Sequence, residues 1–202
     1  MKSYDKLVKQ LKKEIEKRYA GKPLARHIHS VAEFARQIAE NMSSQNGALA
    51  RKAYLAGLAH DLYKKYSEKD LRQVIREEAV PIDEDSWNFG GGLLHAAAAA
   101  HYLRVRCGVT DNEIIAAVYY HTTSRAASST LEKILFCADY LDPSREVRSA
   151  DPDVEVLSKK VLTDLDGVYR EVLRRKLVYT VTRGKPLHPS GSAAWNEVVR
   201  GE

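Results

Sequence analysis

The sequence predicts an all-α fold, and three observations carry that expectation. Apolar residues recur at helical spacing through most of the 202 residues, capping signatures open several of these segments, and no alternating strand pattern with hairpin turns appears. At 44% hydrophobic residues the chain can bury one substantial core.

The elements follow in order. Tyr4 to Tyr19 carries Tyr4, Leu7, Val8, Leu11 and Ile15 on one stripe, with many lysines opposite. Gly21 and Pro23 punctuate it. From Leu24 to Ala39, His27 shares the apolar face with Val31, Phe34, Ala35 and Ile38, while His29 falls with Glu33, Arg36 and Glu40. His27 therefore points inward and His29 outward. Asn46-Gly47 marks a turn before an apolar helix, Ala48 to His60.

Ser67-x-x-Asp70 starts a helix that Pro81 stops, and an acidic linker follows. Gly90-Gly91-Gly92 reads as a flexible linker before the alanine-rich LLHAAAAAHYLRVRC, with His95 at its start. Thr110-x-x-Glu113 and Ser129-x-x-Glu132 are capping-box signatures for helices Asp111 to His121 and Thr130 to Leu141. Asp151-Pro152 predicts a helix running to about Arg170 and as far as Tyr179, and LVYTVTR has the composition of a short strand. His188 lies in a segment expected at the surface.

A net charge of +5 suits a polyanionic partner but is common among ordinary proteins. No run reaches the ~18 to 20 apolar residues that cross a bilayer, and the N-terminal segment has no hydrophobic signal region, so a cytoplasmic protein is expected. Cys107 and Cys137 have no CxxC spacing and read as reduced core thiols.

The chemistry gathers around AGLAHDLYKKYS. There an apolar run ends in the adjacent pair His60 and Asp61, and an unpartnered buried carboxylate costs several kcal/mol to order of magnitude. His121 follows Ile114, Ala117 and Val118 at spacings that place it on a buried stripe. Asp139 is the one ionisable group in the run Ile134 to Leu141. His27, His60, Asp61, His95, His121 and Asp139 have no equal supply of inward lysine or arginine to neutralise them. A metal explains all of them together, because imidazoles and carboxylates are ligands that Mn, Fe or Zn accept. Their number suggests two ions bridged by a carboxylate, with Asp61 as the bridge and the helix end opening to let both His60 and Asp61 face one site. His101, about 600° beyond His95, turns away and stands outside this set.

The series HIHSVAEFA, LAHDLYK, LLH, YYHTTSR and LEKILFCADYLDPSRE resembles the HD-domain metal-dependent phosphohydrolases, and within them is most similar to the YqeK-type symmetrical bis(5'-nucleosyl)-tetraphosphatases. The resemblance covers about Leu24 to Arg148. It implies an HD domain over 23–150; on either side of it, outside the resemblance, the sequence predicts an N-terminal helix over 1–22 and a C-terminal helical extension over 151–202 packed on the same core. The resemblance further implies a di-iron centre held by the six residues above and hydrolysis of diadenosine tetraphosphate to two ADP, in a protein that is often a homodimer. Where the family commonly has glycine after the third histidine and glutamate before the last proline, this chain has Ala96 and Asp142.

Under that reading Asp61 and Lys64 are the candidate catalytic residues, Lys64 lying one helical turn beyond His60. Thr122, Thr123, Arg125 and Arg145, with Lys64, are the candidate phosphate contacts. Two rivals stand beside it. One keeps the scaffold and changes the substrate to a nucleoside monophosphate, a deoxynucleotide or a cyclic dinucleotide. The other is a metal-stabilised nucleic-acid-binding or scaffold protein, although no aromatic RNA-binding motif or basic recognition helix is present.

Overall fold

The computed structural model describes residues 3–42, 47–145 and 152–201. Among these residues every regular element is helical, as the periodicity predicts. Asn46 and Asp151, expected in a turn and at a helix cap, lie outside them.

Helix α1 (Tyr4–Tyr19) buries Leu7, Leu11, Ile15 and Tyr19 at four-residue spacing. Helix α2 (Pro23–Met42) opens on a proline, whose missing N–H costs nothing in a first turn, and buries His27 among Ile28, Val31, Ala35 and Ile38. Helix α3 (Gly47–Ala59) is buried along most of its length. Gly57 makes close packing of α2 on α3 possible. A Cβ there would stand 2.9 Å from the Ala32 backbone nitrogen and closer still to its Cα.

Ser67 caps α4 (Glu68–Glu77) by accepting from the Asp70 amide, and Asp83 caps α5 (Glu84–Asn88) in the same way from Ser86. The triple glycine is not a linker. Gly90, at φ 80°, caps α6 (Gly91–Tyr102), whose first turn includes the other two glycines. Alanines 96–100 are all buried, and a π-turn, Leu103–Cys107, ends the helix.

Helix α7 (Asn112–Tyr120) is capped by Asp111, whose carboxylate accepts from Glu113 N at 2.9 Å. Thr110 therefore does not cap it: the cap falls one residue later than the S/T-x-x-E pattern suggests. Helix α8 (Thr130–Tyr140) has the full capping box of Ser129 and Glu132.

The C-terminal region forms α9 (Pro152–Lys160), α10 (Leu165–Thr182) and α11 (Pro189–Arg200). The single long helix expected from Asp151 is thus two, because Asp164 breaks the run and caps α10 through Gly167 N at 2.9 Å. LVYTVTR is helical. Val178, Tyr179 and Val181 are exposed, so neither burial nor a neighbouring strand among the described residues draws out their β-preference. His188 is buried rather than superficial: its Nδ1 accepts from Ser190 N, capping α11, and its ring lies 4.9 Å from that of Phe89. Both cysteines are buried and unbridged. No helix of the described residues is long and apolar enough to cross a membrane.

Candidate metal centre

Helix α3 stops where the chemistry begins. His60 N still bonds Ala56 O, but Leu62 N returns to Ala59 O and Lys64 N to Asp61 O, at 3.1 and 3.0 Å. These three-residue closures wind the chain more tightly than an α-helix and bring Asp61 round beside His60. The helix end departs from α-geometry by tightening rather than by the opening expected, and Lys64 sits on a turn rather than on a continued helix.

Around this turn four other helices each present one side chain. His27 comes from the buried face of α2, His95 from the second turn of α6, His121 from the C-cap of α7 and Asp139 from the last turn of α8. They form two triads, His27 with His60 and Asp139, and Asp61 with His95 and His121. In each triad the ligand atoms lie within 4.8 Å of one another.

Asp61 belongs to the second and also faces the first. Its Oδ2 is 3.4 Å from His27 Nε2 and 3.6 Å from His60 Nε2, whereas its Oδ1 is 3.1 Å from His95 Nε2 and 3.5 Å from His121 Nε2. Within each pair of histidines the Nε2 atoms face one another at 3.3 Å. Asp139 Oδ1 closes the first triad, 3.3 Å from His27 Nε2.

The outer ring nitrogens explain why Nε2 faces inward. His60 Nδ1–H donates to Gly57 O at 2.7 Å, His121 Nδ1–H to Val118 O at 2.7 Å, and His27 Nδ1–H to the Asp142 carboxylate at 2.6 Å. His95 Nδ1 has only a long approach, 3.5 Å, to Gly91 O. Donating through Nδ1 leaves a lone pair on Nε2, the form that ligates metal.

Charge favours the same use. Burial drives His60 down to about 3 and lowers His95, so both rings are neutral. Burial pushes the Asp61 and Asp139 carboxyls up, but the histidines around Asp61, and His27, Lys176, His60 and Arg145 around Asp139, more than reverse this and keep both well below the usual carboxylate range. His27 is also disfavoured by burial, yet Asp139, Asp142 and Asp61 raise it to about 10. The neutral rings of His60 and His95, the ionised carboxylates of Asp61 and Asp139, and His27 and His121, the former once a cation takes the place of its Nε2 proton, form a donor set for divalent transition metals, and each triad is capable of coordinating one such ion.

Two cations overlook the triads. Lys64 Nζ lies 3.3 Å from Asp61 Oδ1 and 3.5 Å from His95 Nε2, and Arg145 NH2 lies 2.8 Å from Asp139 Oδ1 and 3.0 Å from His27 Nε2. Thr122 and Thr123 are half-buried in the turn after His121. Arg125 is held by the buried Glu132 through two bonds, of 2.6 and 3.1 Å, and stacks 4.9 Å from the Tyr120 ring. His29 is exposed, as its helical face requires, and His101 pairs with Glu78.

Sequence reasoning missed two supporting residues. Asp142 orients His27, and its only signal was a carboxylate where the resembling family carries glutamate. Lys176 of α10 donates to His121 O at 3.3 Å and lies 4.1 Å from the centroid of the Phe136 ring; nothing local in the sequence marks it.

Comparison with known proteins agrees with this geometry. A family described as "HD domain" matches residues 24–144. The symmetrical bis(5'-nucleosyl)-tetraphosphatase of Halalkalibacterium halodurans is 32% identical over 174 residues, covering 86% of this chain and 89% of the relative. Its counterpart from Bacillus subtilis is 30% identical over 176 residues, covering 87% and 90%. A crystal structure from Clostridium acetobutylicum, described as a predicted HD superfamily hydrolase involved in NAD metabolism, superposes with a TM-score of 0.79 at 25% identity, over the whole of both chains. With the family match spanning more than half of the sequence, the chain belongs to the HD-domain metal-dependent phosphohydrolases.

Proposed function

We propose that this protein hydrolyses dinucleoside tetraphosphates symmetrically, diadenosine tetraphosphate to two ADP, at a dinuclear centre whose ions are iron, with Mn or Zn able to replace it. The observation that carries the reading is the division of the two Asp61 oxygens between two histidine pairs, which suits one carboxylate bridging two cations. The activity for which the two bacterial relatives are named supports the substrate.

The residues take distinct roles. His27, His60 and Asp139 would hold one ion, His95 and His121 the other, and Asp61 both. Such ions supply a water acidified toward ~7 and an electrophilic clamp on a phosphate oxygen. Asp61, held ionised and 3.3 Å from Lys64 Nζ, orients the Lys64 ammonium over the second triad, where it meets a phosphate oxygen. Arg145 does the same over the first triad. Thr122 and Thr123 offer hydroxyls beside His121. Arg125, braced by Glu132, is a further candidate phosphate contact. Symmetry requires water to add to one of the two central phosphorus atoms and to break its bond to the central bridging oxygen, so that each product leaves with two phosphates.

The test is product analysis with the iron-loaded protein. ADP alone from diadenosine tetraphosphate is the expected result, while AMP plus ATP rejects symmetrical cleavage. Turnover of monophosphates, deoxynucleotides or cyclic dinucleotides in its place moves the substrate elsewhere on the same scaffold.

A further inference from the structure

The turn that presents Asp61 is held from outside the family's matched region. Leu62, the next residue, is fully buried, and its carbonyl points toward α1. There it accepts two hydrogen bonds, from Tyr19 Oη at 2.7 Å and from Arg18 NH1 at 3.1 Å. Arg18 is itself fixed. Its Nε donates to Glu14 at 2.7 Å, and its guanidinium lies 4.5 Å from the centroid of the Tyr63 ring and 5.5 Å from those of Tyr66 and Tyr102. Tyr63 and Tyr66 belong to the same turn, so α1 grips it through backbone and rings at once.

We propose that Arg18 and Tyr19 are positioning residues for the metal centre, and that their double hydrogen bond to the Leu62 carbonyl sets where the Asp61 carboxylate points. The proposal rests on the reading of Asp61 as a bridge. Beyond Ala59 the turn has only three-residue backbone closures to define it, a weaker restraint than a continuing helix. A carbonyl one peptide from Asp61, clamped by a phenol and a guanidinium, supplies the missing restraint. Because the two Asp61 oxygens serve different triads, a rotation of that side chain disturbs both ions together. A loss of general stability has no such signature.

The experiment uses the full chain, stripped of metal and titrated with Mn²⁺, with the electron paramagnetic resonance spectrum recorded at each step and the fold followed by circular dichroism. The variants are Tyr19→Phe, Arg18→Met and the conservative Arg18→Lys. Gln10→Ala is the control: Gln10 ties α1 to Arg106 O and Cys107 Sγ, neither of which belongs to the turn. The unaltered chain is expected to take up two ions with a spin-coupled spectrum. Tyr19→Phe and Arg18→Met are expected to weaken Mn²⁺ binding about tenfold, toward the 10- to 100-fold range known for residues that orient ligands, and to shift signal from coupled to isolated ions while the chain stays folded. Arg18→Lys, which keeps a donor and the charge, recovers part of the loss, and Gln10→Ala lowers only the melting temperature. Folded Tyr19→Phe and Arg18→Lys variants with unaltered affinity and coupling overturn the proposal and leave the metal centre standing, as does an equal affinity loss in Gln10→Ala. An unaltered chain that binds fewer than two ions overturns both.

Discussion

Asp142 accepts the Nδ1 proton of His27 at 2.6 Å, and this bond decides which nitrogen of His27 faces the metal site. Removing the acceptor frees the ring to swing and to exchange tautomers. Asp142→Ala is therefore expected to lower metal affinity by about 10- to 100-fold, measured by titration with Mn²⁺ or Zn²⁺. An unchanged affinity would show that packing alone orients the ring.

Asp61→Ala and His60→Ala each delete a proposed ligand. Both are expected to lower bound metal, counted by elemental analysis, and to reduce turnover by about 10³-fold or more. His29→Ala, on the exposed face of α2, is expected to leave both unchanged. Metal loss in that variant would assign the wrong histidine of HIH to the site.

Lys64→Ala separates substrate from metal. Its side chain is 41% exposed, and its ammonium overlooks the Asp61 triad without being a donor atom for a cation. The variant is expected to keep its metal and lose up to about a hundredfold in kcat/KM on a polyphosphate substrate. A matching loss of bound metal would make Lys64 structural.

Gly57→Ala tests the contact that brings α2 against α3. The added methyl would drive into the Ala32 backbone, which cannot turn aside as a side chain can. A loss of roughly 1–3 kcal/mol is expected from chemical denaturation, the scale of overpacking in a tight core. Because His27 and His60 flank this crossing, metal affinity is expected to fall with it.

In the metal-free chain, stability is expected to pass through a maximum near pH 6.5. His27 is raised from 6.5 to about 10, so between those values the folded chain keeps a proton that the unfolded chain has released, and stability falls as pH rises. His60 is lowered from 6.5 to about 3, so below pH 6.5 the unfolded chain gains a proton that the folded chain refuses, and stability falls as pH drops; His95 acts in the same direction. The depressed carboxyls of Asp61 and Asp139 add their own loss only near pH 4 and below. Urea midpoints of the chelator-treated protein from pH 5 to 9 check this, and a steady rise across that range would contradict it.

Much of the site was legible because each candidate ligand is an ionisable residue stranded in an apolar run. Asp139 amid Leu135, Phe136, Cys137 and Ala138 needs no tertiary information to stand out. The caps at Ser67 and Ser129 were equally plain, since a cap is a local bond. His188 was misread because the groups that bury it, Ser86 and Phe89, lie about a hundred residues away in sequence. LVYTVTR misled because its β-branched residues are exposed, where side-chain preference is weakest against a helix already started by Asp164. Gly90 to Gly92 read as a linker because glycine is a poor helix former, whereas the chain uses the positive φ of Gly90 to start α6. The grip of Arg18 and Tyr19 on Leu62 spans more than forty residues and is written in distances alone.

The order in which the donors occur along the chain has a consequence for biosynthesis. A nascent polypeptide that has left the ribosome as far as α6 already exposes His27, His60, Asp61 and His95, yet owns neither triad whole, since one awaits His121 and the other Asp139. Under the proposed reading, stable capture of a cation pair would follow release of α8, and the ions would then act as a late clasp, adding their binding energy to a chain that has already threaded five helices around them.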